Sequence, residues 1–250
     1  MEFDPLTGLN APREPSTKLL HVPIPEEAQH FFQKVNEVVR DFMSGTDFDP
    51  SHNYEHIQRV INNANRLYLA EMKKFPDKKL DTLALFLACL VHDIADHKYA
   101  AKFRVKGVNV DNMVKELLLN CGSPPELADK VETIAKAVSF TEERSNPQRA
   151  KEILAEHPEL AFVQDADRLD AMGAVGQARV FVFGGSDEIR RRETIHRGIQ
   201  YHWEKLHALP LLMKTQTARD EAEELWTFMS AFRRQWAKET DISSVLKPEE

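Results

Sequence analysis

Apolar residues recur at three- and four-residue spacing along most of the chain, which is the pattern of amphipathic α-helices. No stretch alternates convincingly between apolar and polar residues, although Phe181-Val182-Phe183 taken alone resembles a short strand. We therefore predict an all-α fold in a single domain. The spacing predicts helices over residues 31–42, 51–75, 82–91, 108–119, 126–140, 150–154, 163–182, 190–206 and 215–238.

Composition divides the chain into three parts. Residues 1–25 contain five prolines and no sustained periodicity, so we expect an extended or partly disordered N-terminal arm. The helical domain is predicted to cover residues 26–240, and residues 241–250 to form a C-terminal tail.

Capping residues and helix breakers predict where individual helices begin and end. Asp49-Pro50 or Ser51 is expected to begin the second helix, because Asp and Ser cap well and Pro is tolerated in the first turn. Asp81 is expected to cap the third helix in the same way. Gly184-Gly185 is expected to end the helix over residues 163–182.

One apolar stretch ends in a polar pair. His92-Asp93 directly follows the apolar run Leu83–Val91, and such groups are costly to bury unless they are hydrogen-bonded or bound to a metal. His56 lies on the inward row of its own helix, four residues before Val60, and Asp167 lies in a run of three aspartates. Two imidazoles and two carboxylates suit Mn, Fe, Co, Ni, Zn or Mg, so the set predicts a divalent cation without choosing it.

The charge balance argues against some classes of partner. Lys and Arg number 33 against 40 Asp and Glu, a net charge of −7, and the one dense basic cluster is Arg190–Arg192. Because nucleic-acid binding requires surplus basic side chains, we expect no nucleic-acid partner and interpret the cluster as a solvated helix face rather than a phosphate clamp.

The same composition gives an expected location. The longest uninterrupted apolar run has nine residues, against roughly 20 for a membrane span, and the acidic N-terminus is unlike a secretory signal. Two cysteines are too few for a disulfide framework. We expect a soluble, cytoplasmic protein with no membrane partner.

Three blocks of the sequence resemble the HD-domain metal-dependent phosphohydrolases, and more closely their YedJ/YpgQ-like branch. They are His52-Asn53-Tyr54-Glu55-His56 with the following Ile57–Val60, then His92–Asp96, then Asp165–Ala174. Similar stretches at 201–206 and 217–219 extend the resemblance to roughly residues 30–240. It implies a compact HD-type helical bundle around one metal ion.

The resemblance also implies a ligand set and a reaction. The family's metal ligands correspond to His56, His92, Asp93 and Asp167. Members of the branch hydrolyse nucleoside or deoxynucleoside triphosphates to the monophosphate and pyrophosphate. The branch often carries a histidine where this chain has Val138, so a phosphate contact by that histidine does not transfer.

Further residues near these blocks are candidates for catalysis and substrate binding. Asp96, four positions after His92, matches an acidic residue that related proteins place near the attacking water, and it is the predicted proton-transfer residue. Lys98 is expected to contact phosphate oxygens as a point charge. His52 faces the same side of its helix as His56, so it is expected to touch the substrate or support a ligand.

The aspartate-rich run leaves alternatives open. Arg168 is expected either to bind phosphate or to pair with a neighbouring aspartate. Asp170 is a candidate for substrate contact, or for holding a ligand histidine in the correct tautomer. Asp165 is expected to cap its helix.

The chemistry of this set predicts metal-assisted attack of water at phosphorus, with a nucleotide or another small phosphorylated metabolite as substrate. Pyrophosphate release from nucleoside triphosphates rests on the resemblance. A phosphomonoesterase or phosphodiesterase using the same site, and a metal- or nucleotide-binding regulator with vestigial hydrolysis, remain alternatives. The oligomeric state cannot be read from the sequence.

Overall fold

The computed structural model describes residue 18, residues 20–94 and residues 111–246. Within these residues the structure is helical and contains no β-strand, so the predicted all-α fold is confirmed. Short 3-10 turns lie at Glu26–Ala28, Arg190–Arg192, Leu206–Ala208 and Ser243–Val245. The α-helices are α1 (Gln29–Met43), α2 (Tyr54–Lys74), α3 (Thr82–Val91), α4 (Met113–Cys121), α5 (Pro125–Lys136), α6 (Phe140–Ser145), α7 (Pro147–Glu156), α8 (Glu159–Asp170), α9 (Gly173–Ser186), α10 (His196–Glu204), α11 (Leu209–Leu212) and α12 (Gln216–Glu239).

Helix α3 lies at the centre of the bundle. Residues 84–91 have no solvent-exposed surface, and α1, α2, α5 and α8 pack around them. A helix that is apolar on all sides is stable in water only when it is buried in this way. The side chain of Asp81 accepts a hydrogen bond from the backbone N–H of Ala84 at 3.0 Å, so the predicted cap is confirmed. Among the described residues, no helix is both long enough and apolar enough to span a membrane.

Helix α2 begins later than predicted. Its N-cap is Asn53, whose side chain accepts a hydrogen bond from the Glu55 N–H at 3.1 Å. Asp49 instead accepts the N–H of Ser51 at 2.9 Å, which closes a local turn before the helix. The predicted start is wrong because Asp49 and Asn53 both suit a cap, and only the path of the incoming chain decides between them. The later start places His56 in the first turn of α2.

Two predicted helices are each divided in the structure. The predicted helix over residues 126–140 ends at Lys136, and Ser139 caps a separate helix, α6. The predicted helix over residues 163–182 breaks after Asp170, because Gly173 has a φ of 64°. The left-handed conformation favours glycine at this position, and a Cβ there would also lie 2.7 Å from Leu225 Cδ2, so the side chain of Leu225 would have to shift.

Other predicted boundaries also shift. Helix α9 continues through Gly184-Gly185 to Ser186, so these glycines do not end it. The polar stretch over residues 141–160 is more helical than the short helix predicted at 150–154, since it contains most of α6 and all of α7. Part of the predicted N-terminal arm packs on the domain: Val22 is buried, and its carbonyl accepts a hydrogen bond from Gln29 at 3.2 Å.

Asp165 does not cap a helix. It lies in the middle of α8 with no exposed surface, and it accepts the backbone N–H groups of Lys214 at 2.7 Å and Thr215 at 2.8 Å. The Thr215 hydroxyl donates to the same carboxylate at 2.9 Å. Asp165 therefore fixes the start of α12 against α8, a role that depends on residues about 50 positions away.

His202 is a buried histidine outside the predicted site. It has no exposed surface, and neither ring nitrogen has a hydrogen-bond partner among the described residues. Burial disfavours the charged imidazolium, and the nearby Arg233 guanidinium disfavours it further, so the pKa of His202 falls from 6.5 to about 4. Arg233 is itself held between the Trp203 and Trp226 rings, at 4.5 and 4.3 Å from their centroids.

We expect His202 to lower the free energy of unfolding as the pH falls from about 6.5 to about 4. In this window the unfolded chain's imidazole takes up a proton while the buried one stays neutral, so acid favours the unfolded state. Urea denaturation across the window should show a shallower pH dependence for His202→Leu than for the native chain. His30→Leu, which alters an exposed histidine, should leave the slope unchanged. Equal slopes for both variants would contradict this account.

Candidate metal centre

Four predicted ligands from three parts of the bundle meet beside the end of α3. His56 comes from α2, His92 and Asp93 follow α3 directly, and Asp167 comes from α8. The Nε2 atoms of His56 and His92 are 3.2 Å apart, and His56 Nε2 lies 3.2 Å from Asp93 Oδ2 and 3.5 Å from Asp167 Oδ1. Metal bonds of roughly 2.1 Å place neighbouring donor atoms at about these separations, so His56, His92 and Asp93 fit a divalent cation, with Asp167 beside them.

The second nitrogen of each imidazole is already engaged. His56 Nδ1 lies 2.7 Å from Asp170 Oδ2, and His92 Nδ1 lies 3.0 Å from the Cys89 carbonyl oxygen. Both acceptors require an N–H at Nδ1, so in the neutral imidazole the Nε2 lone pair faces the cluster. This is the tautomer that binds a metal through Nε2.

Asp170 contacts the Nδ1 side of His56. It does not line the large cavity beside the predicted ligands, which is described below. Its carboxylate is 3% exposed on the side chain and receives Arg59 Nε at 2.7 Å and Arg179 Nη1 at 3.0 Å. Burial alone would raise its pKa, but His56 and the two guanidinium groups lower it to about 2. These are the contacts expected of a carboxylate that holds a ligand histidine in place. Asp170 is absent from the described residues that line the cavity, where a substrate would bind.

The ligand cluster carries excess negative charge when no cation is present. Burial lowers the pKa of His92, but Asp93 and Asp167 outweigh it and raise that pKa to about 9. Burial likewise raises the pKa of Asp167, while His92 and His56 bring it well below its usual range. A proton on His92 therefore balances the carboxylates until a cation replaces it.

A cavity of about 710 Å³ opens directly onto these ligands, since His92, Asp93 and Asp167 form part of its wall. His52 also lines it: its ring lies 6.0 Å from that of His56, and Ser51 Oγ is 2.6 Å from its Nδ1. The structure thus brings His52 to the place that the sequence predicted. Its contact with a substrate stays a prediction.

Arg168 lines the same cavity but is largely committed to the protein. Its guanidinium pairs with Glu143 and donates to the Leu212 carbonyl at 2.9 Å. Its Nε is buried with no hydrogen-bond partner among the described residues. The pairing that the sequence left open is with Glu143 and not with a neighbouring aspartate. Asp96 and Lys98 lie outside the described residues, so their predicted roles remain predictions.

Sequence reasoning missed most of the positive charge around the cavity. Six basic side chains line it, against four acidic ones of which two are predicted metal ligands. Arg190, which belongs to the cluster interpreted as a solvated face, is among them. Isolated basic residues on helices carry no pattern that marks them as cavity residues. The six are Lys136, Arg144, Arg168, Arg179, Arg190 and Lys205.

Comparison with known proteins identifies the family. Residues 53–172 match the family described as the HD domain. The chain is 36% identical over 194 residues to YpgQ of Bacillus subtilis strain 168, which covers 78% of this chain and 87% of that protein. The chain belongs to the HD-domain family.

Solved structures of other HD-domain proteins agree with this conclusion. The crystal structure of Bacillus subtilis YpgQ in complex with ADP is 28% identical, covers 85% of this chain and 96% of that chain, and has a TM-score of 0.60. An HD-superfamily hydrolase from Bacillus thuringiensis is 26% identical over 84% of this chain and 97% of that chain, with a TM-score of 0.58. These relatives place the chain among HD-superfamily hydrolases.

We expect Asp170→Asn to weaken divalent cation binding by about 10- to 100-fold, because His56 would lose the carboxylate that fixes its tautomer. Titration calorimetry with Mn²⁺ on protein stripped of metal measures the affinity directly. Asp77→Asn, which alters an exposed aspartate, serves as the matched control. Wild-type affinity in Asp170→Asn would show that the His56–Asp170 contact does not support the site.

We also expect cation binding to release a proton. His92 holds one at neutral pH because its pKa is about 9, and a metal ligand must be neutral at the donor nitrogen. The apparent affinity should therefore fall about tenfold for each pH unit below 9. Calorimetry in two buffers of different ionisation enthalpy measures the protons released. Binding with no proton release at neutral pH would contradict the charge balance described above.

Proposed function

We propose that the protein is a metal-dependent phosphohydrolase whose substrate is a nucleotide. One observation carries the proposal. Two imidazoles, each with its Nδ1 hydrogen-bonded, and two carboxylates lie together beside a large cavity, and basic side chains line that cavity. A divalent cation held by His56, His92, Asp93 and Asp167 would supply an activated water and a clamp for a phosphoryl oxygen.

The cavity wall suits a phosphate chain. The whole chain carries a net charge of −7, yet basic side chains outnumber acidic ones around this cavity. Arg190 and Arg144 lie on this wall, where their guanidinium groups can meet phosphate oxygens. His52, at the side of the ligand cluster, can hold a further phosphoryl oxygen or a proton of the leaving group.

The size of the cavity favours a nucleotide over a smaller phosphorylated metabolite. A volume of about 710 Å³ lies within the range of pockets for whole organic ligands, about 300–1000 Å³. YpgQ, a relative at 36% identity, has been crystallised with ADP, which supports a nucleotide as ligand here. We propose cleavage of (deoxy)nucleoside triphosphates to monophosphate and pyrophosphate as the specific reaction, with Asp96 in proton transfer and Lys98 on phosphate.

The proposal predicts that nucleoside triphosphate hydrolysis requires Asp93. In assays with Mn²⁺, Mg²⁺, Co²⁺ and Ni²⁺, Asp93→Asn should lower kcat by about 100-fold or more, because the cation loses a ligand. Chromatography of the products distinguishes monophosphate with pyrophosphate from diphosphate with phosphate. Asp77→Asn should retain full activity.

Four outcomes would redirect or overturn the proposal. Release of inorganic phosphate from monophosphates alone would indicate a phosphomonoesterase, and hydrolysis of cyclic nucleotides alone a phosphodiesterase. Nucleotide binding without turnover under any cation would indicate a regulator. Undiminished activity in Asp93→Asn would exclude the proposed chemistry.

A further inference from the structure

A second, smaller cavity of about 220 Å³ opens at the C-terminal end of α9. The last turn of α9, the turn over Arg190–Arg192 and the start of α10 enclose it. Phe183, Arg190 and Tyr201 line both this cavity and the larger one. The small cavity, called the annex below, therefore adjoins the cavity that contains the predicted metal ligands.

The annex differs chemically from the larger cavity. It contains none of the predicted metal ligands, and its walls include the aromatic side chains of Phe183 and Tyr201 and the backbone of Gly184 and Gly185. Its charged residues are Arg190, Arg191, Glu193 and Arg197, and Arg197 is engaged by two salt bridges within the protein, at 3.2 Å to Glu193 and at 2.8 Å to Glu204. The aromatic side chains and the glycine backbone offer a surface on which a flat ring can lie.

The size of the annex restricts what it can hold. Pockets for whole organic ligands measure about 300–1000 Å³, so 220 Å³ is too small for a nucleotide and large enough for one heterocyclic ring system. The larger cavity, with its basic wall and metal ligands, is the part that suits phosphates.

Ring contacts connect the predicted metal ligands to the entrance of the annex. The His52 ring lies 6.0 Å from that of His56 on one side and 5.4 Å from that of Phe183 on the other. Arg190 then lies over the Phe183 ring, 4.8 Å from its centroid. The predicted metal ligands and the entrance of the annex are thus linked by a row of neighbouring rings, His56, His52 and Phe183.

From these observations we propose that the annex is the subsite for the nucleobase, with Phe183 and Tyr201 at its entrance and Arg190 contacting the phosphates nearest to it. The inference rests on the proposed function, since it requires a nucleotide whose phosphates lie at the metal. Aromatic stacking tolerates every base, so the subsite should accept purines and pyrimidines alike.

The test fills the annex without disturbing the phosphate site. A Cβ at Gly184 or Gly185 meets no atom within 4 Å, so Gly184→Leu adds a side chain in open space on the annex wall. Ser186→Leu is the matched control, because it adds the same side chain at the same helix end but outside the annex. Gly185→Leu serves as a second variant should Gly184→Leu fail to fold.

Calorimetry with Mn²⁺ compares two probes, the non-hydrolysable α,β-methylene-ATP and inorganic tripolyphosphate, which lacks a base. We expect Gly184→Leu to weaken binding of the nucleotide analogue by about tenfold or more while tripolyphosphate affinity stays within about twofold. Ser186→Leu should change neither affinity.

Equal weakening of both probes, or no weakening of either, would overturn the base subsite while leaving the proposed function standing. The base subsite would also be overturned if the native chain bound tripolyphosphate as tightly as the analogue. Failure of the native chain to bind either probe would instead overturn the proposed function, and the subsite with it.

Discussion

The hydrogen bond between His56 and Asp170 is the interaction on which the candidate site depends. It joins α2 to the last residue of α8 across 114 positions of sequence and sets which nitrogen of His56 faces the cluster. Arg59 and Arg179 complete the shell of Asp170, at 2.7 and 3.0 Å, so the buried carboxylate stays ionised. Without that charge, a histidine with no exposed surface would have no fixed orientation toward an ion.

The polar groups of the cluster are buried at one end of an apolar helix. The core supplied by α3 stabilises the bundle, and its last turn delivers His92 and Asp93 where α2 and α8 converge. Isolated charges there would be costly, but each has an opposite charge or a hydrogen-bond donor within the cluster. A proton or a cation completes the balance, which couples metal binding to pH.

The two cavities differ in the side chains that line them. The larger one combines predicted metal ligands with basic side chains in a protein that is acidic overall. The annex presents aromatic side chains and glycine backbone, and Phe183 and Arg190 belong to both. The break before Gly173 makes this arrangement possible, because it lets α9 turn away from α8 and carry Phe183 past the ligand cluster.

Local pattern in the sequence determined the helical fold, the burial of α3 and the Asp81 cap, which depend on the 3.6-residue period and on residues within a few positions of one another. The four residues that meet at the cluster were named by the resemblance of three sequence blocks to a family, and their meeting depends on the tertiary structure. The start of α2 at Asn53, the break before Gly173 and the role of Asp165 were decided only by the tertiary structure. So were the contributions of Arg179 and Arg190. Contacts between distant parts of the chain are involved. Arg179 and the Ser51 carbonyl, for example, are 128 positions apart, and no local period encodes such a contact.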